Sequence, residues 1–316
     1  RNFKIKFFPN RLEAINAFNI KTIDGLGGLD YGDLKNIGIN HEVLNIDRPR
    51  YYAIFFNQGV SPVLKEKDVR LALATAVDKQ KIISSALNDS ALIAAGPIPS
   101  TVAGHDAGVY ANEAFSLEKA AEILEKAGWK IGEDGTRTKT VGKSKLKLEF
   151  DVIVPEAKFL IDSINLIWED WQKIGVRLNP VVLRLSDVIN NAIKPRNYQM
   201  LVFGNTLNNN PDVFSFWHSS QRFDPGLNLA LFSDKTADSL LESLRQNLDE
   251  NSRMQDLSKL QKIINDAKPA IFLFSPKYIY VTSKNLGGFS AQSIAFPANR
   301  FEKANEWYLK TARVFK

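Results

Sequence analysis

The stretch LKLEFDVIVPEAKFLIDSINLIWEDWQKIGVRLNPVVLRL, residues 146–185, changes its hydrophobic period twice. Leu146, Leu148, Phe150, Val152 and Val154 fall at every second position, which places them on one face of a strand. From Glu156 the spacing becomes helical, and Leu160, Ile164, Ile167, Trp168, Trp171 and Ile174 form an inner stripe that Gly175 closes. Val176 to Leu185 is then extended again. A strand, an amphipathic helix and a second strand in 40 residues predict a sheet covered by helices.

The same alternation extends in both directions. Upstream, residues 3–8 and 51–56 are aromatic-rich apolar runs that predict strands, with a helix over Arg11–Phe18 and a turn at Gly25, Gly27 and Gly28. The GLGG there satisfies neither GxGxxG nor GxxxxGK[ST], so it carries no phosphate-binding argument. Val69, Leu73, Ala76 and Val77 share a helix face, Asp78 caps a second helix, and Ser116 opens a third that ends at Gly128. Downstream, Ser186 caps a short helix and Gln199 to Phe203 reads as a strand. After Gly204 an Asn-rich loop leads to Pro211-Asp212-Val213-Phe214. Helices over Thr236–Asn247 and Asn251–Asp266 follow, before the apolar strand Ile271 to Phe274. The fold class read from this order is α/β.

Composition narrows the function. With 316 residues, 44% hydrophobic and 24% charged, the chain is globular and long enough for about two domains at roughly 150 residues each. No uninterrupted apolar run is long enough to span a bilayer. The net charge of +6 is spread evenly over both halves, which makes nucleic acid a poor partner. Zero cysteines removes disulfides, thiol nucleophiles and iron–sulfur clusters. His41, His105 and His218 are too far apart for a local metal motif and read as unrelated loop or surface residues, so neither a metal nor a cofactor is expected.

No catalytic constellation is visible either: there is no GxSxG elbow and no placeable Ser-His-Asp set. Asp212 and Asp224 are loop carboxylates near an aromatic cluster, which keeps a hydrolase with a carboxylate pair as an alternative. The cluster itself is more informative. Tyr198, Phe203, Phe214, Phe216, Trp217, Phe223 and Phe232 are interleaved with asparagines and few charges, the composition of a wall that holds an extended ligand by stacking and amide hydrogen bonds. Burial statistics assign about half of these rings to a core instead.

Several segments, taken in order, resemble the peptide- and nickel-binding class (family 5) of extracellular solute-binding proteins of ABC importers. They are Phe56-Asn57 followed by KDVRLALATAVDK at 67–79, Gly96-Pro97-Ile98-Pro99, AAEILEKAGW at 120–129, Pro211-Asp212-Val213-Phe214, and the helix from Asp256 to Asp266 leading into Pro269-Ala270-Ile271-Phe272-Leu273. The resemblance spans nearly the whole chain. It implies a two-lobed fold of the type II periplasmic-binding-protein kind, with the second lobe complete and the first partial. Residues 1–55 and 271–316 would belong to lobe I and residues 56–270 to lobe II, with adjacent crossings near Phe55–Asn57 and Ile271–Pro276.

The resemblance further implies a receptor and not an enzyme. It would capture peptides, or a related solute such as an oligosaccharide or metal complex, in a cleft between the lobes and deliver them to the transmembrane permease subunits of an ABC transporter. Arg1 would be a boundary inside a longer exported chain, located outside the cell or in the periplasm, lipid-anchored through the missing N-terminus and monomeric when full length. The expected cleft wall is Asn205, Thr206, Leu207, Asn208, Asn209, Asn210, Phe214 and Trp217, with Pro211 and Asp212 fixing the loop. In many peptide receptors of this family an aspartate four residues before the loop proline pairs with the peptide's amino terminus. Here that position is Leu207, so the resemblance implies a receptor that does not grip a free α-amine through this loop.

Overall fold

A computed structural model describes residues 3–207 and 211–310. The chain forms two compact units, one from Arg50 to Ser275 and the other from the residues up to Pro49 together with those from Pro276 onward. Residues 50–55 and 271–275, expected in the first lobe, therefore lie in the larger unit. The reason is pairing: Arg50–Phe56 and Ala270–Pro276 are hydrogen-bonded antiparallel neighbours inside its central sheet.

That sheet has six strands in the order Ala91–Ile93, Ala270–Pro276, Arg50–Phe56, Met200–Thr206, Glu149–Pro155, Arg177–Leu183. Arg50–Phe56 runs antiparallel to both of its neighbours, whereas Glu149–Pro155 is parallel to Met200–Thr206 and to Arg177–Leu183. Because side chains alternate across a strand, Arg50–Phe56 feeds two cores at once. Ile54 and Phe56 enter the first, with Val152, Val154, Met200, Val202 and Leu273. Tyr51, Ala53 and Phe55 enter the second, with Leu201, Trp217 and Phe272. This two-sided burial is why 51–56 reads as a continuous apolar run and not as an alternating one.

The first core is closed by the helices Lys67–Thr75, Lys79–Leu87, Leu117–Lys126 and Lys158–Lys173. Two of these starts follow the caps read from sequence: Asp78 accepts from Lys81 N at 2.9 Å, and Ser116 Oγ accepts from Lys119 N at 3.0 Å. Gly175, at φ +78°, ends Lys158–Lys173 in the left-handed conformation that a side chain disfavours. Leu160, Ile164, Ile167 and Trp171 form the buried stripe of that helix, and Trp171 Nε1 donates to Leu73 O at 3.2 Å. Trp168 does not belong to the stripe: it is 38% exposed. Ser163 and Asp170 are buried on the other side of Ile167, so the covered strip centres near Ile167 and leaves Trp168 at its rim.

Arg70, inside the KDVRLALATAVDK segment, shows what that motif does locally. Its Nη1 donates to Leu64 O and Lys65 O at 2.7 and 2.9 Å, while Nε and Nη2 donate to Ala267 O at 3.1 and 2.7 Å, and Nε also reaches Lys268 O at 3.1 Å. A buried guanidinium thus takes up the final carbonyls of the Glu250–Ala267 helix, the end where cations are favoured. The second core is closed by that helix together with Lys235–Gln246.

The smaller unit holds the helix Arg11–Asn19 and a three-stranded antiparallel sheet in the order Gly25–Leu29, Tyr278–Ser283, His41–Ile46. Two sequence expectations are corrected here. Residues 3–8 do not form a strand, and the expected turn at Gly25–Gly28 is a strand. The glycines serve close approach: a Cβ on Gly25 or Gly27 would lie 2.2 or 2.0 Å from the phenol oxygen of Tyr280 or Tyr278. Phe3, Ile5 and Phe7 are all exposed, Phe7 by 93%. Further along, Ser186 lies within the short helix Leu185–Asp187 and does not cap it, and the strand expected to stop at Phe203 continues to Thr206.

Candidate functional site

That continuation reorganises the segment expected to carry the ligand. Odd-numbered positions of Met200–Thr206 face the second core, starting with Leu201, and the parity persists past the end of the strand. Asn205 is consequently buried opposite Tyr51, where its Nδ2 donates to the Tyr51 hydroxyl at 2.8 Å. Burial raises the Tyr51 phenol above its ordinary value, opposed by the hydrogen bond from Asn205. Leu207 is 2% exposed within the same core, and Trp217 is fully buried against Phe55, Phe232 and Phe272. Asn205, Leu207 and Trp217 are thus interior residues and not an open wall. An aromatic or leucine among asparagines carries no mark that separates wall from core, and here the core claims it. Tyr198 and Phe232 are buried too, whereas Phe223 is 64% exposed.

Thr206, paired with Arg50 on the opposite parity, is only partly buried. Asn208, Asn209 and Asn210 lie outside the described residues. Pro211 is partly buried and Asp212 is exposed. Asp212 Oδ1 accepts from Phe214 N at 3.0 Å, just before the short helix Phe214–Trp217. The carboxylate also receives Arg245, from Nη2 to Oδ2 at 2.8 Å and from Nε to Oδ2 and Oδ1 at 3.1 and 3.3 Å. The Asp212 carboxylate of the hydrolase alternative is thus already engaged by the Phe214 amide and Arg245.

Phe214 is enclosed. The Arg245 guanidinium stands 3.8 Å from its ring centroid, and the His218 imidazole stacks at 4.2 Å with a 14° interplanar angle. Two groups that close to one centroid cannot share a face, so both faces of Phe214 are occupied and no ligand ring can stack there. His218, expected to be an unrelated loop or surface residue, is 8% exposed. Its Nδ1 accepts from Ser220 N at 3.1 Å, and its Nε2 lies 3.4 Å from Glu242 Oε1 and 3.8 Å from Asp238 Oδ1. Among the described residues no group of three His, Asp or Glu side chains could hold a metal ion.

Beside the Asp212–Arg245 pair the surface hollows by about 250 Å³, with Val213, Leu241, Leu244 and Arg253 in its lining. This is below the roughly 300–1,000 Å³ typical of small-molecule sites. Sequence reading missed Tyr51, His218 and Arg245. Arg245 is 33 residues from Asp212 and on another element, so no local spacing reports the contact.

Comparison with known proteins gives these features a family. The profile of bacterial extracellular solute-binding proteins, family 5, middle region, matches residues 1–224. The oligopeptide-binding protein AppA of Bacillus subtilis (strain 168) is 23% identical over 298 residues, which cover 93% of this chain and 52% of AppA. The structure of B. subtilis AppA in complex with a nonapeptide superposes with a TM-score of 0.77 at 22% identity, covering 95% of this chain and 58% of that one. NikZ from Campylobacter jejuni, in complex with Ni(L-His), gives 0.76 at 22% identity, with 93% and 59% covered. The chain spans about half the length of the curated relatives it matches. On the match over residues 1–224, the chain belongs to the bacterial extracellular solute-binding proteins of family 5.

Proposed function

We propose that this chain is the solute-recognition part of an ABC-importer receptor, which captures peptides outside the cell or in the periplasm and passes them to transmembrane permease subunits. The observation that carries this reading is the family match over residues 1–224, supported by the likeness of the fold to AppA holding a nonapeptide. A related non-peptide solute is the second reading. It is favoured by the comparable likeness to NikZ with Ni(L-His), and to AgaA in complex with agropinic acid at a TM-score of 0.71. In this reading the Arg50–Ser275 unit is one lobe of the receptor, the smaller unit is part of the other, and a lipid anchor belongs to the longer exported protein.

The recognition segment is the stretch from Thr206 to Asp212, with Asn205 and Leu207 buried at its start and the Asp212–Arg245 pair at its end. Asp212 is the one carboxylate among its described residues, and Arg245 neutralises it. An ammonium placed there would lack the counter-charge that its desolvation requires, which favours a solute held through neutral amides and hydroxyls.

The reading is tested by releasing whatever co-purifies with the native protein and identifying it by mass spectrometry. Thermal shift with an equimolar nonapeptide pool is run beside peptidase and glycosidase turnover assays. A receptor is stabilised without product. Product formation by the purified protein, abolished by Asp212→Asn, would overturn the reading in favour of a hydrolase.

A further inference from the structure

We infer that one stripe of the Lys235–Gln246 helix is a template that sets the conformation of residues 212–219, and that Arg245 is its positioning residue at the recognition end. This rests on the receptor reading above. Asp238, Glu242 and Arg245 are spaced i, i+4 and i+7, so they stand in a row on one helix face. The segment meets them in reverse order. Asp238 accepts from Ser219 N at 2.8 Å and from Ser219 Oγ at 2.6 Å. Glu242 faces His218 Nε2 at 3.4 Å. Arg245 grips Asp212 through three contacts and covers the face of Phe214 opposite His218.

Each contact has its own weight in this arrangement. The Asp238 end is short, partly buried and doubly hydrogen-bonded, so it anchors the segment regardless of what happens at the other end. The Arg245 end is half exposed and rests on one planar group that serves two partners at once, a carboxylate in its plane and a ring beneath it. Lysine can replace neither the fork nor the flat face. Asp212 and Phe214 are also linked directly, since the Phe214 amide donates to the carboxylate that Arg245 holds. Removing the guanidinium therefore frees the first turn of Phe214–Trp217 and, with it, the chain entering from Pro211.

The experiment reads hydrogen exchange in the ligand-free protein at the Phe214, Phe216 and His218 amides, bonded to Asp212 Oδ1, Val213 O and Phe214 O. It also reads affinity for an equimolar nonapeptide pool. The variants are Arg245→Met, Arg245→Lys and Asp212→Asn, the last keeping an acceptor for Phe214 N while removing the charge. Arg245→Met is expected to speed exchange at these amides about tenfold, the combined effect of one exposed ion pair and one cation–π contact. Affinity should fall by a similar factor, with exchange in Glu250–Ala267 unchanged. Arg245→Lys should restore only a minor part, and Asp212→Asn should move both readouts in the same direction as Arg245→Met. Wild-type exchange in Arg245→Met, full restoration by lysine, or faster exchange with unaltered affinity would each overturn the proposal. A wild-type protein that retains no peptide while Arg245→Met still quickens exchange would sink the peptide reading and leave the template standing.

Discussion

Lys79 opens the Lys79–Leu87 helix, the end where a positive charge is unfavourable, and its Nζ donates to Ala94 O at 3.2 Å. Burial lowers its pKa to about 8, with the Glu113 charge opposing and the Lys268 charge adding to the fall. The protonated amine is therefore destabilising in the folded state. Between about pH 8 and the ordinary lysine value near 10.5 the unfolded chain binds more protons than the folded one, so this group adds stability as pH rises through that window. Below about 8 both states are charged and its contribution is flat.

At about 1.4 kcal/mol per pKa unit the penalty at pH 7 is roughly 2–3 kcal/mol, once partial solvent access is allowed for. Lys79→Met removes it but leaves the Ala94 carbonyl without its donor, at a cost of about 1 kcal/mol. We predict that the variant is more stable than wild type by about 1–2 kcal/mol at pH 7 and less stable by about 1 kcal/mol at pH 10.5. Urea unfolding, followed through the fluorescence of the buried Trp129, Trp171 and Trp217, measures the difference. Taking wild type minus variant at each pH cancels the buried tyrosines Tyr51, Tyr110 and Tyr198, whose raised values remove stability at high pH in both proteins. A difference that moves by less than about 1 kcal/mol between pH 7 and 10.5 would refute the reasoning.

Other predictions address particular contacts. Arg70→Met deprives the carbonyls of Leu64, Lys65, Ala267 and Lys268 of their donors and is expected to destabilise the larger unit by about 3–5 kcal/mol, read by denaturant unfolding. Gly27→Ala drives a Cβ against the Tyr278 hydroxyl and should destabilise the smaller unit by about 1–3 kcal/mol. Adding Tyr278→Phe should recover part of that loss, and no recovery would mean that the clash is not the cause. Calorimetry with matched free and N-acetylated nonapeptides is expected to show equal or better binding after acetylation. Tight binding lost on acetylation would show that an acid elsewhere in the receptor grips the amine.

The local elements were legible because they depend on neighbours in sequence. The 3.6-residue stripe of Leu160, Ile164, Ile167 and Trp171, the caps Asp78 and Ser116, and the doubly apolar strand 51–56 are recorded in spacing alone. The ordered segments from Phe56 to Leu273 determined the family as well, since their identity and succession need no coordinates. Pairing across distance was not recorded. Gly25 and Gly27 read as a turn until the rings of Tyr278 and Tyr280, some 250 positions away, occupy the space where side chains would stand. Asn205 and Leu207 read as a wall until strand parity turns them inward, and Trp217 does so until Phe55, Phe232 and Phe272 enclose it. His218 and Arg245 carried no signal at all, because their roles exist only where the Lys235–Gln246 helix lies against residues 212–219. Hydrophobic period states which face of an element is covered, and only the tertiary structure decides what covers it.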